Sequence, residues 1–415
     1  MTVGKTVLDN GVTVISEQVP YLNSATVGIW VSVGSRAESP PDSGIGHFIE
    51  HMLFKGTGRR KAIDISREIE SVGGTMNAYT DREYIFFFAK ALAKDFPLAA
   101  DLLCDIFLDS RFDAEELERE KGVVLQEILM AEDSPEDYLH DFFHESYWKG
   151  HSLGLPVQGT AGSVFTFDRE RVVRYFGDRF RRRGTIVTVV GNLPHERIVE
   201  VFGNALSGLA LGDRFRPEAP PAPEHGVFLR KRPLEQLHLV LGGPALPRGS
   251  ELRYVAYVLN GILGGGMCSR LFQEIREKRG LAYSIYSSIS SYADSGILKI
   301  CAGTSGGQAR EFLTVAAAAV DELRAGRLDD GEVAVAKEWI KGSMLLNLES
   351  AEYRMSRLAM NEMFLGRQES PDDELRRVDG VTSEQVRRLA ASMLDRERFS
   401  LAAVGDLPPG PDLAF

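Results

Sequence analysis

The fold is decided by the stretch ERVVRYFGDRFRRRGTIVTVVGNLP (Glu170–Pro194), which returns near the end of the chain as EQVRRLAASMLDRERFSLAAVGDLP (Glu384–Pro408). The two copies align without a gap. Each copy predicts an amphipathic helix, a short charged connector and an apolar strand that ends in V-G-(N/D)-L-P. A repeated unit of this kind indicates that the chain is a duplication.

The preceding parts of the two halves also correspond. Ala25–Gly34 and His238–Gly243 both predict strands, and each is followed by a polar loop and a helix. Farther along, Asn77–Ala91 and Ala282–Gly303 are long runs of alternating apolar and polar residues that follow a glycine turn. The order of elements therefore predicts an α+β fold in both halves.

A Pro- and Ala-rich stretch separates the halves. DRFRPEAPPAPEHG (Asp213–Gly226) is typical of an extended surface linker. A chain of 415 residues is also longer than one hydrophobic core usually serves. We therefore expect two domains, residues 1–212 and 227–415, joined by residues 213–226.

Composition excludes several classes of function. The net charge of −11 argues against nucleic acid as a partner, since phosphate binding needs a basic surface. No apolar run approaches the roughly 18 residues of a membrane span. We recognise no signal or transit peptide at the start, and the three cysteines are too few for a disulfide framework. These features predict a cytoplasmic protein without a membrane partner.

The helix predicted within GIGHFIEHMLFKGTG (Gly44–Gly58) carries a metal-binding pattern. Its apolar residues form one stripe, and the opposite face carries His47, Glu50 and His51. Two imidazoles four residues apart can bind one zinc ion, with Glu50 beside it as a general base. This is H-x-x-E-H, the inverted zincin motif, for which the composition gives roughly 0.02 chance occurrences. The alternative is a polar helix face with two unrelated histidines.

A catalytic zinc needs a third protein ligand. Glu120 and Glu127 lie two turns apart on one face of the helix predicted for Phe112–Ala131. From composition alone, such acids are more often a solvated face than ligands. His140 and His144 form a second pair four residues apart, but without an opposed apolar stripe they indicate a surface helix.

With these motifs the chain resembles the pitrilysin/insulinase family of zinc metallopeptidases, in particular its mitochondrial-processing-peptidase-like branch of short single chains. The resemblance covers nearly the whole sequence. It is carried by four stretches, GIGHFIEHMLFKGT, GGTMNAYTDREY, EREKGVVLQEI and GGGMCSRLFQEIREKRGLAY. The family fold implied is two duplicated α+β domains, each an antiparallel-rich sheet with helices packed on one face.

The resemblance also implies roles for individual residues. One Zn²⁺ per chain would be held by His47, His51 and Glu127, and Glu120 would orient a ligand. Glu50 would act as general base, and Arg276 and Tyr283 from the second domain would help to stabilise the developing oxyanion. An extended peptide would pair with the strand of Asn77, Ala78 and Tyr79. The second half, which reads Arg253-Tyr254-Val255-Ala256-Tyr257 at the position of the zinc helix, would bind no metal.

The resulting prediction is a zinc-dependent metalloendopeptidase that cleaves extended or unfolded peptides, such as presequence-like segments or small peptides. It would form a homodimer or pair with a related chain. Two alternatives remain open: a catalytically silent partner subunit, and a structural subunit of a larger assembly with the same fold.

Overall fold

The computed structural model of the protein describes residues 2–180, 184–209, 212, 213, 215–220, 222–407, 413 and 415. The chain divides into two compact units, and each unit is assembled from three segments. The first unit comprises Met1–Met130, Leu155–Glu218 and Asn347–Gln368. The second unit comprises Ala131–Gly154, Ala219–Leu346 and Glu369–Phe415.

The first unit contains a six-stranded sheet with the order β1-β2-β6-β3-β5-β4. Strands β2 and β6 are parallel, and the other neighbouring pairs are antiparallel. The strands are β1 (Thr2–Val7), β2 (Thr13–Gln18), β3 (Ser24–Val31), β4 (Thr75–Thr80), β5 (Ile85–Leu92) and β6 (Ile186–Gly191).

The second unit repeats this topology. Its five-stranded sheet has the order β7-β11-β8-β10-β9, with one parallel pair, β7 and β11, at the matching place. The strands are β7 (Val227–Lys231), β8 (Leu237–Pro244), β9 (Ala282–Ser291), β10 (Gly296–Thr304) and β11 (Ser400–Gly405). The predicted fold class, two duplicated α+β domains with antiparallel-rich sheets, is confirmed.

The α-helices lie between these strands, and among the described residues five lie between β5 and β6 and five between β10 and β11. They are α1 (Ile45–Leu53), α2 (Ala62–Ser71), α3 (Phe96–Asp109), α4 (Ala114–Asp133), α5 (Pro135–Tyr147), α6 (Ala161–Phe165), α7 (Arg169–Tyr175), α8 (His195–Leu206), α9 (Arg253–Gly264), α10 (Ala309–Arg324), α11 (Asp330–Asn347), α12 (Ala351–Met360), α13 (Pro371–Asp379) and α14 (Ser383–Met393).

The first sheet is covered on both faces. Alternate strand residues such as Val27, Ile29 and Val187 pack with α1, α3 and α8 on one face. The opposite face, which includes Trp30, packs against Met355 of α12. Gly28 of β3 makes this close approach possible, because a Cβ atom there would lie 2.9 Å from the Met355 sulfur.

The second sheet is covered in the same way. Leu239, Ile300 and Leu401 face the main core, which contains α9, α10 and α14. The other face packs against α5 through Phe143. Gly242 of β8 leaves room for this ring, since a Cβ atom there would lie 2.1 Å from Phe143.

Two helices are thus exchanged between the halves. Helix α5 follows α4 in the first half but covers the second sheet, and α12 follows α11 in the second half but covers the first sheet. The predicted domains were the continuous segments 1–212 and 227–415. The observed units differ from them because α5 and α12 are exchanged. The prediction of helices on one face of each sheet is incomplete. Both faces of each sheet carry apolar residues, so helices pack against both faces.

The repeated stretch forms the predicted helix and strand in both halves, α7 with β6 and α14 with β11. In the first copy the helix continues into a π-helical turn, Phe176–Phe180. The connector residues 181–183 and the final Pro408 lie outside the described residues. The described residues of the predicted linker, 213, 215–220 and 222–226, form no helix or strand.

Candidate metal centre

Helix α1 is held by its buried face and by its first residues. The predicted apolar stripe is confirmed, since Ile45, Phe48, Ile49, Met52 and Leu53 are completely buried. The carboxylate of Glu38 accepts hydrogen bonds from the backbone N–H groups of Gly44 and Gly46, at 2.7 and 2.9 Å. These bonds satisfy donors that a helix start leaves without partners. The polar face, with His47, Glu50 and His51, is therefore fixed on the side away from the core.

Helix α4 brings the third predicted ligand to this face. Glu127 Oε2 lies 3.3 Å from His51 Nε2 and 3.6 Å from His47 Nε2. The three side chains offer ligand atoms that all lie within 4.8 Å of one another, and no other such group of His, Cys, Asp or Glu occurs among the described residues. The structure therefore brings together the three residues that the resemblance implied as zinc ligands.

The donor set fits zinc. A tetrahedral zinc ion with bonds of about 2.0–2.1 Å places neighbouring ligand atoms about 3.3–3.4 Å apart, close to the two separations measured to Glu127. Burial and, to a smaller extent, the charge of His51 together lower the pKa of His47 to about 4. The His47 imidazole is thus neutral near pH 7, as a metal ligand must be.

Glu120 contacts Nδ1 of His51, the ring nitrogen that is not directed at Glu127. Its Oε1 lies 2.8 Å from His51 Nδ1, and its Oε2 lies 2.6 Å from Lys55 Nζ. An ionised carboxylate can only accept, so Nδ1 carries the proton and Nε2 presents its lone pair to the centre. Burial lowers the pKa of His51, but the hydrogen bond to Glu120 and the nearby carboxylates outweigh it, and the pKa is raised. Burial raises the pKa of Glu120, but the bonds from His51 and Lys55 outweigh it, and the pKa is lowered.

Glu50 lies on the same face of α1, between the two histidines in sequence. Burial raises the pKa of its carboxyl group, which the hydrogen bond from Thr80 partly offsets. The Thr80 hydroxyl donates this bond to Glu50 Oε2 at 2.5 Å. A partly buried carboxyl group with a raised pKa suits proton transfer near neutral pH.

The predicted substrate strand is β4, an outer strand of the first sheet. Asp81 N donates to Tyr84 O, so Asp81 and Tyr84 form a hydrogen-bonded pair. Such pairs alternate along an antiparallel ladder, which makes Tyr79–Phe86 and Asn77–Phe88 the next two. The backbone groups of Asn77 and Tyr79 are therefore directed at β5, and those of Ala78 are directed at the outer edge. Of the three predicted residues, Ala78 offers the backbone groups for pairing with a peptide.

Arg276 and Tyr283 lie together in the second unit. The Arg276 guanidinium stacks over the Tyr283 ring at 4.8 Å, and Tyr283 is 80% exposed. Their predicted participation in the metal centre stays a prediction.

Two features were missed or misjudged from the sequence. His140 and His144 do not lie on a surface helix: His144 is buried on α5 against Tyr292, and His140 Nε2 lies 3.4 Å from the Tyr286 hydroxyl. The sheet face that both histidines contact belongs to the other half of the chain. Glu38 was not predicted because it is six residues before the helix start that it holds and belongs to no motif.

In the part of the chain that the structure describes, none of the helices is both long and apolar enough to span a membrane.

Comparison with known sequences gives the family. The pattern described as insulinase (peptidase family M16) matches residues 13–161, and the peptidase M16 inactive domain matches residues 166–338. An uncharacterized zinc protease of Streptomyces coelicolor is 40% identical over 98% of this chain and 90% of its own length. The uncharacterized zinc protease YmxG of Bacillus subtilis is 38% identical over 96% of this chain and 98% of its own. The chain therefore belongs to the insulinase family, peptidase family M16, and the predicted resemblance is confirmed.

Solved structures share the fold. The peptidase M16 inactive domain from Pseudomonas fluorescens matches with a TM-score of 0.91 and 19% identity, over 99% of this chain and 100% of that one. A protease from Helicobacter pylori matches with a TM-score of 0.89 and 19% identity, over 97% and 99% of the two chains. At this level of identity the likeness concerns the fold alone.

Proposed function

We propose that this protein is a zinc-dependent endopeptidase that hydrolyses extended or unfolded peptides, either presequence-like segments or small peptides. The observation that carries the proposal is the convergence of His47, His51 and Glu127 beside the partly buried carboxyl group of Glu50. The zinc protease names of relatives that match nearly the whole chain support the same metal.

The chain's own residues supply most of the proposed mechanism. Bound zinc would polarise the scissile carbonyl and make an attacking water more acidic. Glu50 takes the proton from that water and passes it to the leaving amine. Glu120 and Lys55 keep His51 in the tautomer that binds metal. Arg276 and Tyr283 remain the proposed contributors of the second unit.

The outer edge of β4 supports the proposed substrate class. A peptide must be extended to add a strand at a sheet edge, because its backbone N–H and C=O groups have to alternate with those of the edge strand. Folded domains do not present such a segment. The expected substrates are therefore unfolded segments and short peptides.

The test is to compare the purified wild-type protein with Glu50→Gln on a library of unstructured peptides. Wild type should contain about one zinc per chain and lose cleavage in a chelator. Glu50→Gln should bind the same zinc but cleave at least about a hundredfold more slowly, since general acid–base catalysis contributes 10²–10⁴-fold.

The control is Glu115→Gln, an exposed acid of α4 outside the centre, which should cleave as wild type does. Full cleavage by Glu50→Gln would contradict the proposed mechanism. A wild-type protein with zinc but without cleavage would favour a silent partner subunit, and one without zinc would favour a structural subunit.

A further inference from the structure

Thr80, the last residue of β4, has a side chain and a backbone that serve different neighbours. Its side chain lies on the same sheet face as Met76 and Ala78, because strand residues alternate between faces. Met76 and Ala78 pack against the core that contains α1. From this face the buried Thr80 hydroxyl reaches Glu50 Oε2 at 2.5 Å.

The backbone of Thr80 is directed elsewhere. Because Asp81–Tyr84 and Tyr79–Phe86 are hydrogen-bonded pairs, Thr80 opposite Ile85 belongs to a non-hydrogen-bonded pair. Its N–H and C=O groups are therefore directed at the outer edge of the sheet, as those of Ala78 are. One residue thus presents its backbone where a peptide strand would pair and its hydroxyl to the general base.

The hydrogen bond to Thr80 is also the one that orients Glu50. Within the described part of the chain, no second donor to either carboxylate oxygen of Glu50 is found. With Oε2 held by the hydroxyl, Oε1 is the oxygen left to act as the base. A side chain with three rotatable bonds has many orientations, and one fixed contact removes most of them.

We propose that Thr80 is a positioning residue that fixes the carboxylate of Glu50 relative to a peptide paired with β4. This inference rests on the proposed peptidase function. The peptide register and the base position are then set by the same residue, so that a peptide bond in the correct register meets a correctly oriented carboxylate.

The kinetic test uses Thr80→Val, which keeps the shape of the side chain and removes the donor, and Thr80→Ser, which keeps the donor. The Val variant should lower kcat about tenfold or more and change KM by less than about twofold, because the interaction orients the base without contributing to peptide affinity. The Ser variant should recover most of kcat. The matched control is Thr26→Val on β3, a buried threonine whose hydroxyl has no hydrogen-bond partner among the described residues, and this change should leave both constants unchanged. A Val variant with wild-type kcat, or with its whole loss in KM, would overturn the inference.

A second measurement does not depend on activity. The denaturation midpoints of metal-free wild type, Thr80→Val, Glu50→Ala and the double variant form a double-mutant cycle. The shift of the double variant should be clearly smaller than the sum of the two single shifts, whereas Thr26→Val combined with Glu50→Ala should be additive. Additive shifts for Thr80 and Glu50 would overturn the inference. If wild type cleaves no peptide at all, the proposed function fails, and this cycle still decides whether Thr80 holds Glu50.

Discussion

The two histidines of the metal centre are held differently. Nδ1 of His51 is tied to Glu120, which is tied in turn to Lys55. Nδ1 of His47 is buried and has no hydrogen-bond partner among the described residues. A ligating imidazole usually donates its second N–H to a fixed acceptor. The orientation of the ligand pair therefore depends mainly on Glu120.

Replacing Glu120 should accordingly weaken metal binding. We expect Glu120→Gln to lower zinc affinity about 10–100-fold, because an amide no longer fixes the His51 tautomer and loses the charge that Lys55 contacts. Lys55→Met should have a smaller effect in the same direction. Competition with a chromophoric chelator measures the affinity. Glu115→Gln is the control on the same helix, and equal affinities for all three variants would contradict a role for Glu120.

The position of a functional side chain could be predicted from the sequence where it depends on the spacing of a few residues within one helix. The spacing of His47, Glu50 and His51 fixes their common face, since an α-helix repeats every 3.6 residues. The same reasoning failed for His140 and His144, because their contacts with Tyr286 and Tyr292 depend on a sheet formed by the other half of the chain.

At the level of elements, β4 decides how a peptide would bind. The N–H of Ala78 is directed at the outer edge, and in this structure Asn77 Oδ1 accepts from it at 2.8 Å. A bound peptide would have to replace the Asn77 side chain at this position. The sequence predicted the strand and the three residues, but the backbone groups that face outward follow from the register with β5.

Ala78→Pro tests this assignment. Proline removes the outward N–H without breaking a bond to β5, so the protein should fold with nearly unchanged stability. Peptide cleavage should show a KM raised about tenfold or more, because the edge loses one donor and gains a ring. Ala78→Ser keeps the N–H and is the control. Unchanged KM in the proline variant would show that peptides do not pair at this edge.

The exchanged helix α12 is fastened to the first sheet by an ion pair as well as by apolar packing. Arg354 Nη1 lies 2.6 Å from Glu17 Oε1, and both side chains are almost completely buried. The Arg354 Nε–H also donates to Leu348 O, at the turn that precedes α12. The pair therefore ties β2 of the first half to a helix that belongs by sequence to the second.

Removing one partner of the Arg354–Glu17 ion pair should destabilise the folded protein. We expect Arg354→Ala to lower the free energy of unfolding by about 3–5 kcal/mol, because it leaves the Glu17 carboxylate buried without its counter-charge. The control is Arg119→Ala, whose exposed pair with Glu116 should contribute less than about 1 kcal/mol. Denaturant unfolding measures both values. A loss no larger than that of the control would mean that apolar packing alone holds α12.

For the whole molecule, the helix exchange makes each half dependent on the other. A fragment that ended at residue 212 would lack α12 and would expose the apolar face around Trp30 and Ile186. An exposed apolar face of this kind favours aggregation. Each sheet therefore packs with its helices as one compact unit, but each unit includes a helix that comes from the other half of the sequence.

We propose a homodimer or a pair with a related chain, which the family resemblance supports. Exposed apolar side chains of the second unit, including Trp339 and Leu346 of α11, offer surface that association could cover. Light scattering of the purified protein should give about twice the 45.8 kDa of one chain. A concentration-independent value of one chain would count against a homodimer, and recovery of a second, related chain from co-purification would favour the pair.

The sequence by itself determined the features that local spacing encodes: the duplication, the amphipathic helix with His47, Glu50 and His51 on one face, and the α+β order of elements in both halves. The family resemblance added Glu127 and Glu120. The tertiary structure alone decided which atoms meet across long intervals, such as His51 with Glu120, 69 residues apart, and Thr80 with Glu50. It also decided which sheet α5 and α12 cover. The physical reason is that helical and strand periodicities act over a few residues, whereas these contacts depend on how whole apolar faces are buried.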